Sequence, residues 1–563
     1  MKQGSPRPNN GAKCKNGKFV VPVEIRALKP ENPPCTVKTS RNGYYVVERL
    51  RVPDPNHPGK MKNASGKTIG HIIDGKYVPL EDQIKDISDE VPDILNYGAY
   101  AVALACSKDV LSRLKTVFSQ KDSINIYVIA VIYAVNHYIP ARDLHEMYIQ
   151  SVLCQSYPEA TLSENVAGKF IENLGRHNKK RRQFEQGLID DGSGCYNIDG
   201  HVMLCVSNNN ELADYGAKYE SIGNMQANFM MVFDAKLKRA ISCDAFEGGI
   251  PDKQAVKDTF AVHHFNKARF RIDSGFYSED NFQLYRSNEC IFIIPVPATT
   301  ILRKTVMRHL TFSKSFVHKR KDKHGKMVCS SIQYEEYTVS AIEDVAVQDA
   351  KDEAEAKKKE LEQQAKSGEK IRKVNPRKVE RSKYPDDRII VYKDQLMYNK
   401  LYFDYSCLIG DGNHTEEKLA ELEKGFGVIL LRTNDPAITA ENLYIEYKDR
   451  WPIETYYNYV NNIADFKALH EENYFTQQGV GFLIVVESLI HSEMAKLIQN
   501  ATMPFVHNMS IDECIRVAGR LKVVQNSDNT WNSNTMKGKI VNMFEYMGVD
   551  VQKDIKRLNS MTQ

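Results

Sequence analysis

Between residues 195 and 295 the hydrophobic period of this chain becomes that of strands, and the order of those strands limits the possible folds more than any other feature. Residues 196–206, 228–234 and 240–246 are β-like runs joined by hairpin-like links. Residues 252–263 and 278–286 then read as helices that alternate with two more strands, 268–273 and 290–295. Three hairpin-linked strands followed by alternating helix and strand predict a mixed α/β sheet.

A chain of 563 residues exceeds what one hydrophobic core holds, so roughly three or four units are expected. Residues 1–17 are polar with Pro and Gly and read as a flexible tail. Residues 18–80 read as a small β-rich unit, in which Ser65-Gly66-Lys67-Thr68 imitates the end of a phosphate loop. The leading Gly that such a loop needs is Met61 here, so the segment reads as a turn. Residues 94–188 are helical in pattern, ending in a basic patch over 176–182. After residue 299 strand-like pieces at 334–341 and 388–391 flank a charged, exposed helix or short coiled coil over 350–366. Sheet-like order returns at residues 427–431.

Hydrophobic residues at 42% and charged residues at 26% exclude wholesale disorder and membrane embedding. The apolar runs 124–135 and 480–490 are too short to span a bilayer and read as buried helices. The N-terminus lacks the apolar core of a signal peptide, which points to a cytoplasmic or nucleoid-associated protein. Eleven Cys without a Cys-x-x-Cys pair argue against a zinc ribbon and a disulfide framework. Net charge is only +4, but basic residues cluster at 179–182, 318–321 and 377–383, either as phosphate-neutralising patches or as solvated surface. Adjacent His263 and His264 point different ways and read as structural rather than metal-binding.

Three acidic residues stand apart. Asp199 lies in Asn197-Ile198-Asp199-Gly200-His201, sharing a strand face with His201 and Met203, and Gly200 leaves room beside it. Asp273 closes a strand and precedes Ser274-Gly275, at the strand end where open α/β sheets bind ligands. Glu454 shares a helical face with Tyr447 and Arg450, at spacings of three and four. Pro452 either kinks that helix or starts it anew, and a helix start would favour an ionised Glu454. Either Asp alone reads more readily as a surface or turn residue. Together, three carboxylates from two strands and a helix suit two Mg²⁺ ions about 3.5–4 Å apart, clamping the attacking and leaving oxygens of a phosphoryl transfer.

With those residues in place, the chain resembles the DDE transposases of bacterial insertion sequences, specifically the insertion-sequence-four group, over residues 195–493. The resemblance rests on Tyr196-Asn197-Ile198-Asp199-Gly200, on Ile272-Asp273-Ser274-Gly275-Phe276, and on Leu431-Arg432-Thr433-Asn434 leading to Tyr447-x-x-Arg450-x-x-x-Glu454. Gly223 and Gly248-Gly249-Ile250-Pro251-Asp252 add to it. It implies a ribonuclease-H-like mixed sheet with flanking helices over 191–298 and 425–500, interrupted by a β-rich insertion at 299–424. Around that core it leaves an N-terminal β-rich unit at 1–90, a helical end-binding region at 91–190 and a C-terminal helical region at 501–563.

The resemblance further implies that Asp199, Asp273 and Glu454 are catalytic and bind two Mg²⁺ ions, with Mn²⁺ as a substitute. Tyr447 and Arg450 would contact phosphates of double-stranded DNA, at terminal inverted repeats and target, in a homodimer assembled on DNA. Where the group's signature carries Lys, this chain has Asn461, so that contact is weakened or passes to Lys467. The reactions expected are endonucleolytic cleavage at transposon ends and joining of the freed 3′-hydroxyl to target DNA. The alternatives are a metal-dependent nuclease without strand transfer and a DNA-binding copy that has lost catalysis.

Overall fold

The computed structural model describes residues 13–15, 18–40, 43–53, 61–73, 75–79, 93–205, 207, 209–216, 223–250, 252–321, 326–364, 373–410, 413–448, 468–469, 472–536 and 538–562. The chain divides into two compact units, Met1–Pro92 and Asp93–Gln563.

In the smaller unit, β1 (Cys35–Ser40), β2 (Gly43–Pro53), β3 (Met61–Ile73) and β4 (Lys76–Pro79) form an antiparallel meander. Val37, Tyr44, Val46 and Ile72 close its core. Two expectations are corrected here. Ser65–Thr68 is not a turn but the middle of β3, with Ser65 opposite Arg49 and Thr68 opposite Val47, because β2 offers backbone partners along that whole stretch. Lys13–Lys15 pairs with Lys18–Val20, so the polar N-terminal segment includes part of a hairpin.

The larger unit is mixed α/β. Its helices include α1 (Gln120–Asn136), α2 (Glu164–Arg176) and α3 (Asn178–Asp190). A ten-stranded sheet then begins with β5 (Cys195–Cys205), β6 (Gln226–Asp234), β7 (Arg239–Glu247), α4 (Asp252–Val262), β8 (Arg269–Ile272), α5 (Glu279–Ser287) and β9 (Ile291–Pro295). It continues with β10 (Lys314–Lys321), β11 (Met327–Thr338), α6 (Val339–Gln364), β12 (Arg388–Asp394), β13 (Val428–Thr433), α7 (Ala440–Lys448), β14 (Ala468–Leu469) and α8 (Tyr474–Asn500). The spatial order is β7-β6-β5-β8-β9-β13-β12-β11-β10, with β14 beside β5. β5 runs antiparallel to β6 and parallel to β8, and β8 runs parallel to β9.

The strands of the 299–424 segment therefore extend the sheet through β13 rather than forming a sheet of their own. Both faces of this extension are covered. Ile293, Ile332, Ile390, Tyr392 and Leu431 pack with Leu443 and Tyr444 of α7 on one face. On the other, Ile389, Val391 and Leu430 pack with Val339 and Ile342 of α6. Residues 339–341, expected to prolong a strand, instead start α6, because the Thr338 hydroxyl accepts from the Ala341 amide. The C-terminal region is not wholly helical either: Lys522–Gln525 is a strand between Trp531–Ser533 and Ile94–Asn96.

α1 is buried from Ser123 to Ala134 and α8 along most of its length, as apolar residues on every side require. Among the described residues no helix is long and apolar enough to cross a membrane. α2 and α8 cross at backbone contact. A Cβ on Gly175 would lie 1.7 Å from the Phe475 carbonyl oxygen, and one on Gly479 would lie 2.1 Å from that of Ile171. Gly175→Ala should therefore cost at least about 1–3 kcal/mol, the usual cost of overpacking. A denaturation midpoint equal to the parent's would refute that contact.

His491 of α8 sits between two acceptors, with Nδ1 2.6 Å from Glu487 and Nε2 3.0 Å from the Ala134 carbonyl. Both nitrogens then carry protons. Burial acts to lower its pKa, but Glu487 and the Ala134 carbonyl outweigh burial and raise it. Nearby His137 is pushed down to about 4 by burial and by His491, and Asp512 is pushed up by burial. A group raised in the folded state stabilises fully below its unfolded value, about 6.5 for His, and that contribution fades as pH climbs through the folded value. Unfolding free energy should thus decline with pH above about 6.5, with a shallower decline in His491→Gln.

Candidate active site

Parallel pairing sets Ile198 of β5 opposite Ile272 of β8, so the next residues, Asp199 and Asp273, stand level on neighbouring strands. Such backbones lie about 4.8 Å apart, and registered residues project to the same face. Asp199 and Asp273 are both half-buried. One Asp199 oxygen accepts from the Gly200 amide at 3.0 Å, and one Asp273 oxygen accepts from the Ser274 amide at 2.6 Å. The Asp273 bond caps a short 3₁₀ turn, Ser274–Phe276, which ends the strand and orients the acid. β8 stops at Ile272, whereas β5 runs on to Cys205 and meets β14 only at Leu204. Among the described residues, the β5 edge from Asp199 to Met203 therefore lies in a notch between two partner strands.

The same face receives α7. Alternation puts Arg269 and Arg271 on the face of Asp273. The Arg271 guanidinium donates to the Glu446 carbonyl at 3.1 Å, while Arg269 pairs with Asp435 at 2.8 Å and with Glu446 at 3.5 Å. Burial opposes charge on Asp435, yet the Ala437 amide and Arg269 hold its carboxyl below the usual range. β8 is thus followed by an acid at its end and, on the same face, carries the anchors of α7. These anchors were missed in the sequence, although two Arg alternating with Phe270 and Ile272 in a short strand is a pattern that demands partners.

Tyr447, on the last turn of α7, packs half-buried against the cluster of Ile293, Tyr392 and Leu443, so its ring is part of the packing of α7 on the sheet. Arg450, Glu454, Asn461 and Lys467 lie outside the described residues, as does the Pro452 step. Among the described residues no group of three His, Cys, Asp or Glu converges as a metal site. Asp199 and Asp273 bring two carboxylates to one face, oxygen groups of the kind hard divalent cations take.

The basic patch at 179–182 is not wholly a surface. Arg181 is buried, and Arg182 grips Asp244 of β7 at 2.6 and 2.8 Å and Glu185 at 2.9 Å. Burial acts against the charge on Asp244, but Arg182 holds its carboxyl below the usual range, whereas burial raises that of Glu185. His263 completes this cluster, pushed down to about 4 by burial and by Arg182, and so is neutral and structural. Half of the patch therefore ties α3 to the sheet. The ten Cys from Cys35 to Cys514 are free thiols.

No protein-family model matches this chain, and no curated protein is significantly similar to it.

Proposed function

We propose that the chain is a metal-dependent DNA transposase of the DDE type, cleaving phosphodiesters at transposon ends and joining the 3′-hydroxyl to target DNA. The observation that carries this reading is the level pair Asp199 and Asp273 at the ends of paired parallel segments of β5 and β8. The strand order supports it. In chain order, the first five strands of the sheet stand as 3-2-1-4-5, with only the second antiparallel to its two neighbours, which is the plan expected of a ribonuclease-H-like core. α7 supports it too, because it is docked beside Asp273 and its chain continues toward Arg450 and Glu454.

Asp199 and Asp273, with Glu454, would hold the divalent ions. Their contribution when bound is activation of the attacking hydroxyl and neutralisation of charge on the scissile phosphate and leaving oxygen. No side-chain nucleophile is required. The protein's own part is to keep two carboxylates in fixed register by strand pairing and by the Gly200 and Ser274 amides. The test is incubation of the purified chain with DNA flanking its own gene, in Mg²⁺ or Mn²⁺. Metal-dependent cleavage at inverted repeats, followed by joined products, is expected, and absence of cleavage in both metals would refute the reading.

A further inference from the structure

Apart from the two carboxylates, the sheet face that carries them also bears a convergence of cations that the cleavage chemistry leaves unused. Cross-strand register puts Lys314, Phe316, His318 and Arg320 of β10 on the face of Tyr334, Ile332, Ser330 and Val328 of β11. That is the face covered by α7, since Phe316 and Tyr334 pack in the cluster that holds Tyr444. Tyr444 is a fully buried floor whose hydroxyl donates to Asp394 at 2.8 Å. The His318 ring meets the Tyr444 ring edge-on at 5.5 Å, and the Lys448 ammonium lies 5.3 Å from its centroid. Arg320 is close enough that its charge is felt at the Tyr444 phenol, against the upward push of burial and Asp394.

The cations thus come from two elements separated by more than 100 residues and gather at the end of α7 from which the chain runs to Arg450. Lys314 is paired with Glu336 at 3.5 Å, and Asp394, the acid at the Tyr444 hydroxyl, also accepts from Ser330 and from the Leu396 and Met397 amides. From Lys314 to Ser330 the sequence carries six Lys or Arg and one acid, Asp322. Lys319 and Arg320 are exposed, and β10 is the last strand of the sheet, with β11 as its only strand partner among the described residues.

We propose that the basic half of the β10–β11 hairpin, with Lys448, forms a phosphate-gripping arm that holds the DNA backbone flanking the scissile bond. The assignment rests on the DNA-cleaving reading for its biological role, but not for its test. Surface cations that neutralise phosphates release counterions, so each contact contributes about 0.9 to the slope of log affinity against log salt. Backbone contacts of this kind act on every sequence alike.

The experiment uses the full chain and a fluorescent duplex of arbitrary sequence, in EDTA so that no cleavage occurs, with affinity measured across a salt series. Arg320→Glu should weaken binding roughly severalfold at low salt and flatten the slope by about one unit. Lys448→Gln should flatten it by about one unit. Arg320 is exposed, so its variant should melt like the parent. Unchanged affinity and slope in both hairpin and Lys448 variants would overturn the arm. So would equal loss of binding to polyglutamate at matched charge, which would reassign the patch to an acidic protein. Failure of cleavage by the parent, with the slope effect intact, would remove the transposase reading and leave the arm standing.

Discussion

Asp199→Asn is expected to abolish metal-dependent cleavage of end-containing DNA while leaving the fold unchanged. The side chain keeps its shape and its acceptor for the Gly200 amide, so the strand register with Ile272 has no reason to shift. What it loses is the charge that a hard cation requires of its ligand. Outer-shell partners of metal ligands typically contribute about 10–100-fold, so loss of a direct ligand should exceed roughly a hundredfold. Asp273→Asn should match it if the proposed site is right, because the two acids stand level on neighbouring strands. The measurement is the cleavage rate in Mg²⁺ and Mn²⁺ beside a melting curve. Cleavage at the parental rate by a folded Asp199→Asn protein would rule out the carboxylate pair as the metal site.

Arg432→Met should produce the largest loss of stability among single changes in the sheet. Arg432 is 1% exposed and reaches Asp387 at 2.8 Å, the Tyr277 hydroxyl at 2.9 Å and the Ser382 hydroxyl at 2.8 Å, with Phe282 4.2 Å beneath its guanidinium. It thereby links β13, α5 and the segment entering β12. Removing one member of a buried ion pair typically costs about 3–5 kcal/mol, because the partner keeps its desolvated charge. Asp387 retains Arg286, which places the expected loss toward the lower end of that range. Arg432→Lys should recover only part of it, since an ammonium cannot reproduce the planar fork of donors. A urea midpoint displaced downward with an unchanged slope would register the effect, and a loss below about 1 kcal/mol would show that the network is not what joins these elements.

Much of the first half of the sheet was legible because its signals are local. Alternation and turn residues mark β5 to β9 within a few residues, since period and chain breaks are properties of short windows. Ser65–Thr68 misled because a Gly-containing polar tetrapeptide suits a turn equally well, and only the presence of β2 alongside made it a strand. Lys179–Arg182 misled for a similar reason. Its charges look solvated in one dimension, yet Asp244, more than 60 positions away, turns Arg182 inward.

The candidate site divides along the same line. Residue types and the spacing of Tyr447, Arg450 and Glu454 are present in the linear chain, and so is the placing of Asp199 and Asp273 in strand-like runs. That the two aspartates are level depends on a parallel pairing between segments 74 residues apart, and parallel register is set by which faces the crossover helices bury. The docking of α7 on Arg269 and Arg271, and the meeting of β10 with Lys448 at one Tyr ring, depend on contacts over larger separations still. The sequence by itself determined the mixed α/β class and the chemistry available at each position, because period and side-chain type are local. Only the tertiary structure decided which of those groups share a face, because burial of apolar surface across the whole sheet, not any local preference, chooses the pairing.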